Sequence, residues 1–287
     1  MKIATISATG LRLLGLVVFS QAAIVVTGAL VRLTGSGLGC PTWPQCAADS
    51  FVPVESQVEG FHKWIEFGNR LLTFVVFAIA ILSFAYLLYQ RRKRRSLPKN
   101  VLKLAAIPVL GTIAQAILGG ITVLTDLNPY TVAAHFLLSI VIIYFSVLNR
   151  IIAEFPAIIY KSANQNILAR LLLLVGSIVI FLGVITTGSG PHAGDEVAQR
   201  FSIDTQIVAW LHADMVWLFT GLIIASYFVN RNLWLYKLTI TVLLQMVVGY
   251  SQWFTDLPWA LVAIHVALAV TLWVFLVKYV SLVGRVQ

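Results

Sequence analysis

Eight stretches of about 20 apolar residues recur along this 287-residue chain, at roughly 11–31, 64–89, 101–124, 130–149, 168–187, 206–229, 234–253 and 259–280. Each is long enough to cross about 30 Å of hydrocarbon as a helix. A backbone in lipid has no water to bond with, so such segments pair their own N–H and C=O groups as helices. Charged residues make up only 11% of the chain, against about 25% in soluble domains. The expected fold is therefore an all-α integral membrane protein with eight transmembrane helices. The first stretch has the place of a signal peptide, but its apolar run is too long and "VTGALVR" offers no small-residue cleavage site, so it is read as helix 1.

Basic residues orient the helices. With the N-terminus inside, 16 of the 20 Lys and Arg residues fall on inner segments: Lys2, Arg12, "RRKRR" (91–95), Lys99, Lys103, Arg150, Lys161, Arg170, Arg231, Lys237, Lys278 and Arg285. This is the positive-inside bias, and it puts both termini in the cytoplasm. Ten of the 11 acidic residues lie on the outer side or in outer helix halves, Glu154 being the exception. The net charge of +9 thus reports topology and gives a nucleic-acid partner little support. The two cysteines, Cys40 and Cys46, sit in "CPTWPQC" on the first outer loop. An outward-facing loop permits a disulfide, and a metal site would want more ligands; free thiols are the alternative.

The chain repeats itself. "AQAILGGITVLTDLNPYTVAAHF" (114–136) lies over "LQMVVGYSQWFTDLPWALVAIHV" (244–266) at a constant offset of 130, pairing Gln115 with Gln245, Gly119 with Gly249, Asp126 with Asp256 and His135 with His265. Helices 1 and 5 both end in Thr-Gly-Ser-Gly. Four helices per copy give both copies one orientation, a parallel repeat unlike the inverted repeats of many transporters. Two tandem pseudo-symmetric four-helix bundles are expected, over residues 1–150 and 151–287, each able to hold a cofactor between facing helices.

The polar residues inside these helices point to what is held. His135, His212 and His265 lie six or seven residues into helices 4, 6 and 8, all entering from outside, so the imidazoles share a depth of roughly 10 Å. Two neutral imidazoles facing across a bundle, His212 and His265, form a bis-His haem site; the alternative is a helix–helix hydrogen-bonding role for each. Sliding "IEFGNRLLTF" onto "VAWLHADMVW" sets Asn69 where the second half has His212. His62, Glu66 and Asn69 follow an i, i+4, i+7 spacing, one helix face expected to line a cavity. Asp214 follows His212 by two positions and points elsewhere. The halves are then unequal: a saturated bis-His site suits electron transfer, and one strong ligand beside an acid suits chemistry on the haem. An ion pair between Glu66 and Arg70 is the alternative for the acid.

"GALVRLTGSGLGCPTWPQC" (28–46), followed by "IEFGNR" (65–70), resembles the haem A synthase family. The similarity extends over the whole chain: eight helices in tandem halves, an outer Cys pair, and His in helices 4, 6 and 8. The resemblance implies a membrane oxidoreductase of a bacterial-type plasma membrane, oxidising the ring methyl of haem O to a formyl group to give haem A during cytochrome oxidase assembly. It implies a haem b cofactor on His212 and His265, the iron of substrate haem O on His135, a proton or charge role for Glu66, and Asn69 and His62 on the substrate-haem side. The family's Glu-x-x-His motif reads Glu66-x-x-Asn69 here, and Ala213 stands where a His-Arg pair is often repeated. Arg32 and Arg70 are candidate partners for haem propionates, or else interfacial anchors. In "GSGPHAGDEVAQRF", His192, Asp195 and Glu196 are candidates, with His192 read chiefly as solvated. Implied partners are haem O, haem O synthase, membrane lipid, an electron acceptor and a second copy of the chain. Rival readings are a bis-His electron-transfer cytochrome without methyl oxidation, and a haem transporter or chaperone.

Overall fold

Unbroken apolar runs become helices that end where Gly, Pro and Asn accumulate. In order these are α1 (Ala8–Leu33), α2 (His62–Arg94), α3 (Lys99–Leu124), α4 (Pro129–Glu154), α5 (Ile167–Ser189), α6 (Thr205–Ser226), α7 (Leu233–Phe254) and α8 (Trp259–Leu282). The computed structural model describes residues 6–94, 97, 99–155, 167–192, 194–195 and 198–283. Lys2, Arg95, Lys161, Glu196 and Arg285 lie outside the described residues. Among those described, all eight helices are long and apolar enough to cross a membrane, so the protein is an all-α integral membrane protein. The sixth helix was expected to reach residue 229; it closes at Ser226, where the chain turns before "RNLW".

Consecutive helices pair: α1 packs on α2, α3 on α4, α5 on α6 and α7 on α8. In the first half α1 also meets α4 and α2 meets α3; in the second, α5 meets α8 and α6 meets α7. The halves join through α8, which touches α1 and α4, and through contacts of α4 with α5. The largest buried cluster lies across this joint, bringing Ile143 and Val147 together with Leu172, Phe219, Leu238 and Leu276. Lipid tails are as apolar as these side chains, so van der Waals contact, and not transfer from water, holds them together. A hydrogen bond adds to it: the Trp273 indole N–H donates to the Ile140 carbonyl, 3.0 Å away. Beside this joint a groove of about 480 Å³ runs between α4 and α5, lined by Leu137, Ile140, Tyr144, Leu173, Ile180 and Trp273.

The repeat is visible in the corners α3–α4 and α7–α8. Asp126 and Leu127 have φ of 51° and 56°, and Asp256 and Leu257 have 59° and 57°. Two consecutive left-handed residues with β-carbons cost about 1–2 kcal/mol each, so both copies build the same unfavourable turn. It is secured by Leu127 N–H donating to Thr122 O (2.9 Å) and Leu257 N–H to Gln252 O (2.7 Å).

These corners also tie the outer loops together. Gly37 N–H donates to Gly194 O at 2.9 Å, and the Leu127 side chain packs where a β-carbon on either glycine would lie. Arg32 donates to the carbonyls of His192 (2.8 Å) and Thr187 (3.1 Å). His192, expected to be solvated, instead donates from Nε2 to Leu257 O at 2.7 Å. Arg32 is thus engaged with the backbone of the second outer loop. Leu127 is 6% exposed, whereas its repeat partner Leu257 is only half-buried. Leu127→Ala is therefore expected to cost about 2–4 kcal/mol and to lower the apparent unfolding temperature in detergent further than Leu257→Ala. Equal shifts would show that the buried loop contact adds nothing.

Candidate functional site

Within each helix pair, one polar side chain on the even-numbered helix lies against a glycine on the odd-numbered one. A β-carbon placed on Gly119, Gly183 or Gly249 would sit 3.2, 3.2 and 3.3 Å from Cε1 of His135, His212 and His265 respectively. The fourth pair has the same form, with Gly28 against Asn69, but is looser: the corresponding distance to Asn69 Nδ2 is 3.9 Å. Three imidazoles and one carboxamide therefore occupy four equivalent seats. His135 and His265 each lie six residues past the first residue of α4 and α8, and His212 seven past that of α6.

The structure brings His212 and His265 together, with ring centres 6.4 Å apart and ring planes at 65°. His212 Nδ1 is 3.0 Å from the Val179 carbonyl, which only accepts, so Nδ1 carries the proton and Nε2 keeps its lone pair. A backbone carbonyl fixing the tautomer in this way is the usual support of a metal-ligating imidazole. Two metal–nitrogen bonds of about 2 Å, with each ring centre about 1 Å beyond its nitrogen, span roughly 6 Å, so the pair fits an iron between its rings. Asp214 is exposed, away from the pair. His265 Nδ1 and His135 Nδ1 are both enclosed without a hydrogen-bond partner. Such buried polar atoms call for an explanation, and a ligand-binding role supplies one. Gln115 steadies α4 beside His135, donating from Nε2 to His135 O (3.0 Å) and Ser139 Oγ (2.5 Å).

In the first half the polar face of α2 serves the outer loop. The Glu66 carboxylate accepts from Cys40 N–H at 2.6 Å through Oε2 and from Arg70 at 2.6 and 3.0 Å through Oε1. Arg70 goes on to the carbonyls of Cys40 (2.8 Å), Thr42 (3.1 Å) and Gln45 (2.9 Å). The i, i+4 ion pair is therefore formed, and Arg70 is engaged with the loop carbonyls. Cys40 and Cys46 form a disulfide, S–S 2.01 Å. Trp43, at the tip of the closed loop, lies over Gly120 of α3. His62 opens α2, exposed, with Nδ1 2.8 Å from Ser36 Oγ. Asn69 Oδ1 accepts from Thr27 Oγ1 at 2.8 Å. The i, i+4, i+7 face thus serves three different partners.

Several contributors escaped sequence reasoning. Gly183, Thr27 and Lys63 carry no motif, and Gly28 and Ser36 lie in the 28–46 motif without a role assigned to them; Lys63, 7% exposed, donates to Val54 O at 2.7 Å. Gly119 and Gly249 were detectable, since the offset of 130 pairs them along with the histidines. The Val179 carbonyl had no signal at all, because any residue type supplies one.

The seats are testable by filling them. Alanine for glycine in a helix interior gains about 1 kcal/mol where there is room. Nothing lies within 4 Å of a β-carbon at Gly221, so Gly221→Ala is expected to raise the unfolding temperature. Gly183→Ala and Gly249→Ala displace an imidazole and are expected to lower it, at a net cost of about 1–3 kcal/mol. A rise in all three would show that the seats are slack.

Comparison with known proteins shows the family. The profile of the family COX15-CtaA, described as Cytochrome oxidase assembly protein, matches residues 11–194. The chain is 34% identical over 122 residues to "Heme A synthase" of Geobacillus thermodenitrificans, covering 42% of this chain and 35% of that protein. It is 35% identical over 129 residues to "Heme A synthase" of Listeria monocytogenes serotype 4b (strain F2365), covering 44% and 39%. The matched segment thus spans little more than a third of the length of these curated relatives. Eight membrane-length helices in this family mark a multi-pass protein of the bacterial-type plasma membrane. With well over half of its length matched by the family profile, the chain belongs to the COX15-CtaA family of cytochrome oxidase assembly proteins.

Proposed function

We propose that this protein is a haem A synthase, a membrane oxidoreductase that oxidises the ring methyl of haem O to the formyl group of haem A. The observation that carries the reading is the His212–His265 pair, 6.4 Å between ring centres, in a chain whose relatives bear the name Heme A synthase. On this reading the chain works as two four-helix units, 1–150 and 151–287, with both termini cytoplasmic and the disulfide loop outside. The basic residues concentrated at one end of the helices support that orientation.

His212 and His265 hold haem b, which supplies one-electron transfer when bound. His135, seated on Gly119, binds the iron of the substrate haem O in the first unit. Glu66 holds or releases a proton at its carboxylate; Cys40 N–H and Arg70 keep that carboxylate oriented. The disulfide loop, anchored through the same two residues, keeps water from the outer end of the unit. On this reading the substrate enters the first unit laterally from the bilayer, carried by its apolar tail. Haem O synthase, or a second copy of this chain, would be the partner that presents or shares the substrate.

Two variants test the assignment. His265→Ala is expected to abolish the low-spin haem b spectrum of the purified protein, and its retention would refute the cofactor site. Glu66→Gln is expected to abolish haem A in haems extracted from cells that make haem O, while leaving the haem b spectrum intact as a control for folding. A normal haem A yield from Glu66→Gln would remove the acid from the chemistry and leave it as the anchor of the Cys loop.

A further inference from the structure

We infer that the first four-helix unit holds its haem iron on His135 alone, leaving the Asn69 side open to a small exogenous ligand to which the Asn69 carboxamide donates a hydrogen bond. The inference rests on the haem reading above and deepens it at the one seat where this chain lacks an imidazole.

Asn69 stands in the repeat where α6 has His212, and it occupies the matching glycine seat. A carboxamide can ligate a metal through its oxygen; its nitrogen lone pair is delocalised into the carbonyl. Here the oxygen is engaged, accepting from Thr27 Oγ1 at 2.8 Å. Beyond that bond Asn69 keeps one oxygen lone pair, a poorer ligand for iron than an imidazole nitrogen, and its NH₂ group, a donor of two hydrogens.

The neighbouring candidates for a second ligand are held elsewhere. His62 keeps Nε2 free, but its Nδ1 is tied to Ser36 Oγ at the exposed start of α2. Seven residues separate His62 from Asn69, about 10 Å along the helix axis. The Glu66 carboxylate is turned to the outer loop, accepting from Cys40 N–H and from Arg70. In the second unit, by contrast, two imidazoles lie with ring centres 6.4 Å apart, a spacing that admits one iron between them. The repeat has kept the seat and exchanged its occupant, converting a ligand into a donor. The looser fit at Gly28, 3.9 Å against 3.2 Å at Gly183, leaves the seat able to take an imidazole again.

The test uses the purified haem-loaded protein, with carbon monoxide as the probe on the reduced form and electron paramagnetic resonance on the oxidised form. The expected result is one low-spin and one high-spin haem per chain, with only the high-spin one binding carbon monoxide. Asn69→His is expected to convert the second population to low spin and to eliminate carbon monoxide binding. Asn69→Leu should preserve binding but raise the C–O stretching frequency, since the donor is lost; an unchanged frequency would overturn the donor role. Two low-spin haems inert to carbon monoxide in the unsubstituted protein would overturn the open position. His135→Ala should remove the carbon monoxide-reactive haem alone. If that haem survives His135→Ala, or if only one haem binds per chain and depends on His265, the haem reading of the first unit fails instead.

Discussion

A helix pair inside a bilayer gains nothing by moving apolar surface away from water, so its stability rests on how closely the two backbones and their side chains meet. Contact is closest where one partner lacks a β-carbon. At Gly119, Gly183 and Gly249 the imidazole edge of the neighbouring helix crowds the space of the missing carbon, and at Gly28 the Asn69 carboxamide stands in ordinary contact with it. The same contact therefore does two things. It lets the helices of each pair approach, and it fixes the direction in which a polar side chain leaves its helix. The repeated unit is consequently smaller than a four-helix half: it is a helix hairpin bearing one glycine and one polar group, used four times.

Much of this was legible in the amino-acid order. Hydrophobic length alone located eight helices, with ends mostly within three residues of those observed, because a lipid-facing helix has no other way to satisfy its backbone. The offset of 130 between Asp126 and Asp256, or His135 and His265, was visible because polar residues in apolar helices are costly and do not recur by accident. What was not legible has a common cause. The Val179, His192, Leu257 and Cys40 carbonyls, which receive His212, Arg32, His192 and Arg70, are backbone groups that every residue type possesses. Pattern in a sequence records side chains; a site braced by main-chain oxygens leaves half its bracing unwritten.

The α2 segment shows the consequence for reading polar residues in membrane helices. His62, Glu66 and Asn69 share a face, and a shared face suggests a shared cavity. Their partners instead lie on Ser36, Cys40 and Thr27, spread over α1 and the loop that follows it. A helix face is broad enough to serve several neighbours, so periodicity identifies which residues turn inward without saying what they meet. Only the identity of the adjacent chain separates the residue that anchors the disulfide loop from the one that occupies the seat.

The ties across the outer surface carry a further implication. Arg32 on α1 grips the loop after α5, that loop reaches the α7–α8 corner through His192, and Leu127 from the α3–α4 corner is wedged between Gly37 and Gly194. Three chain crossings from different parts of the sequence thus meet in one lid of backbone and short side chains. Because these ties join α1, the α3–α4 corner, the loop after α5 and the α7–α8 corner, they brace the outer ends of both halves against one another. The outer ends of the helices are thereby the stiff end of the bundle, fastened by bonds that cross from one half of the chain to the other.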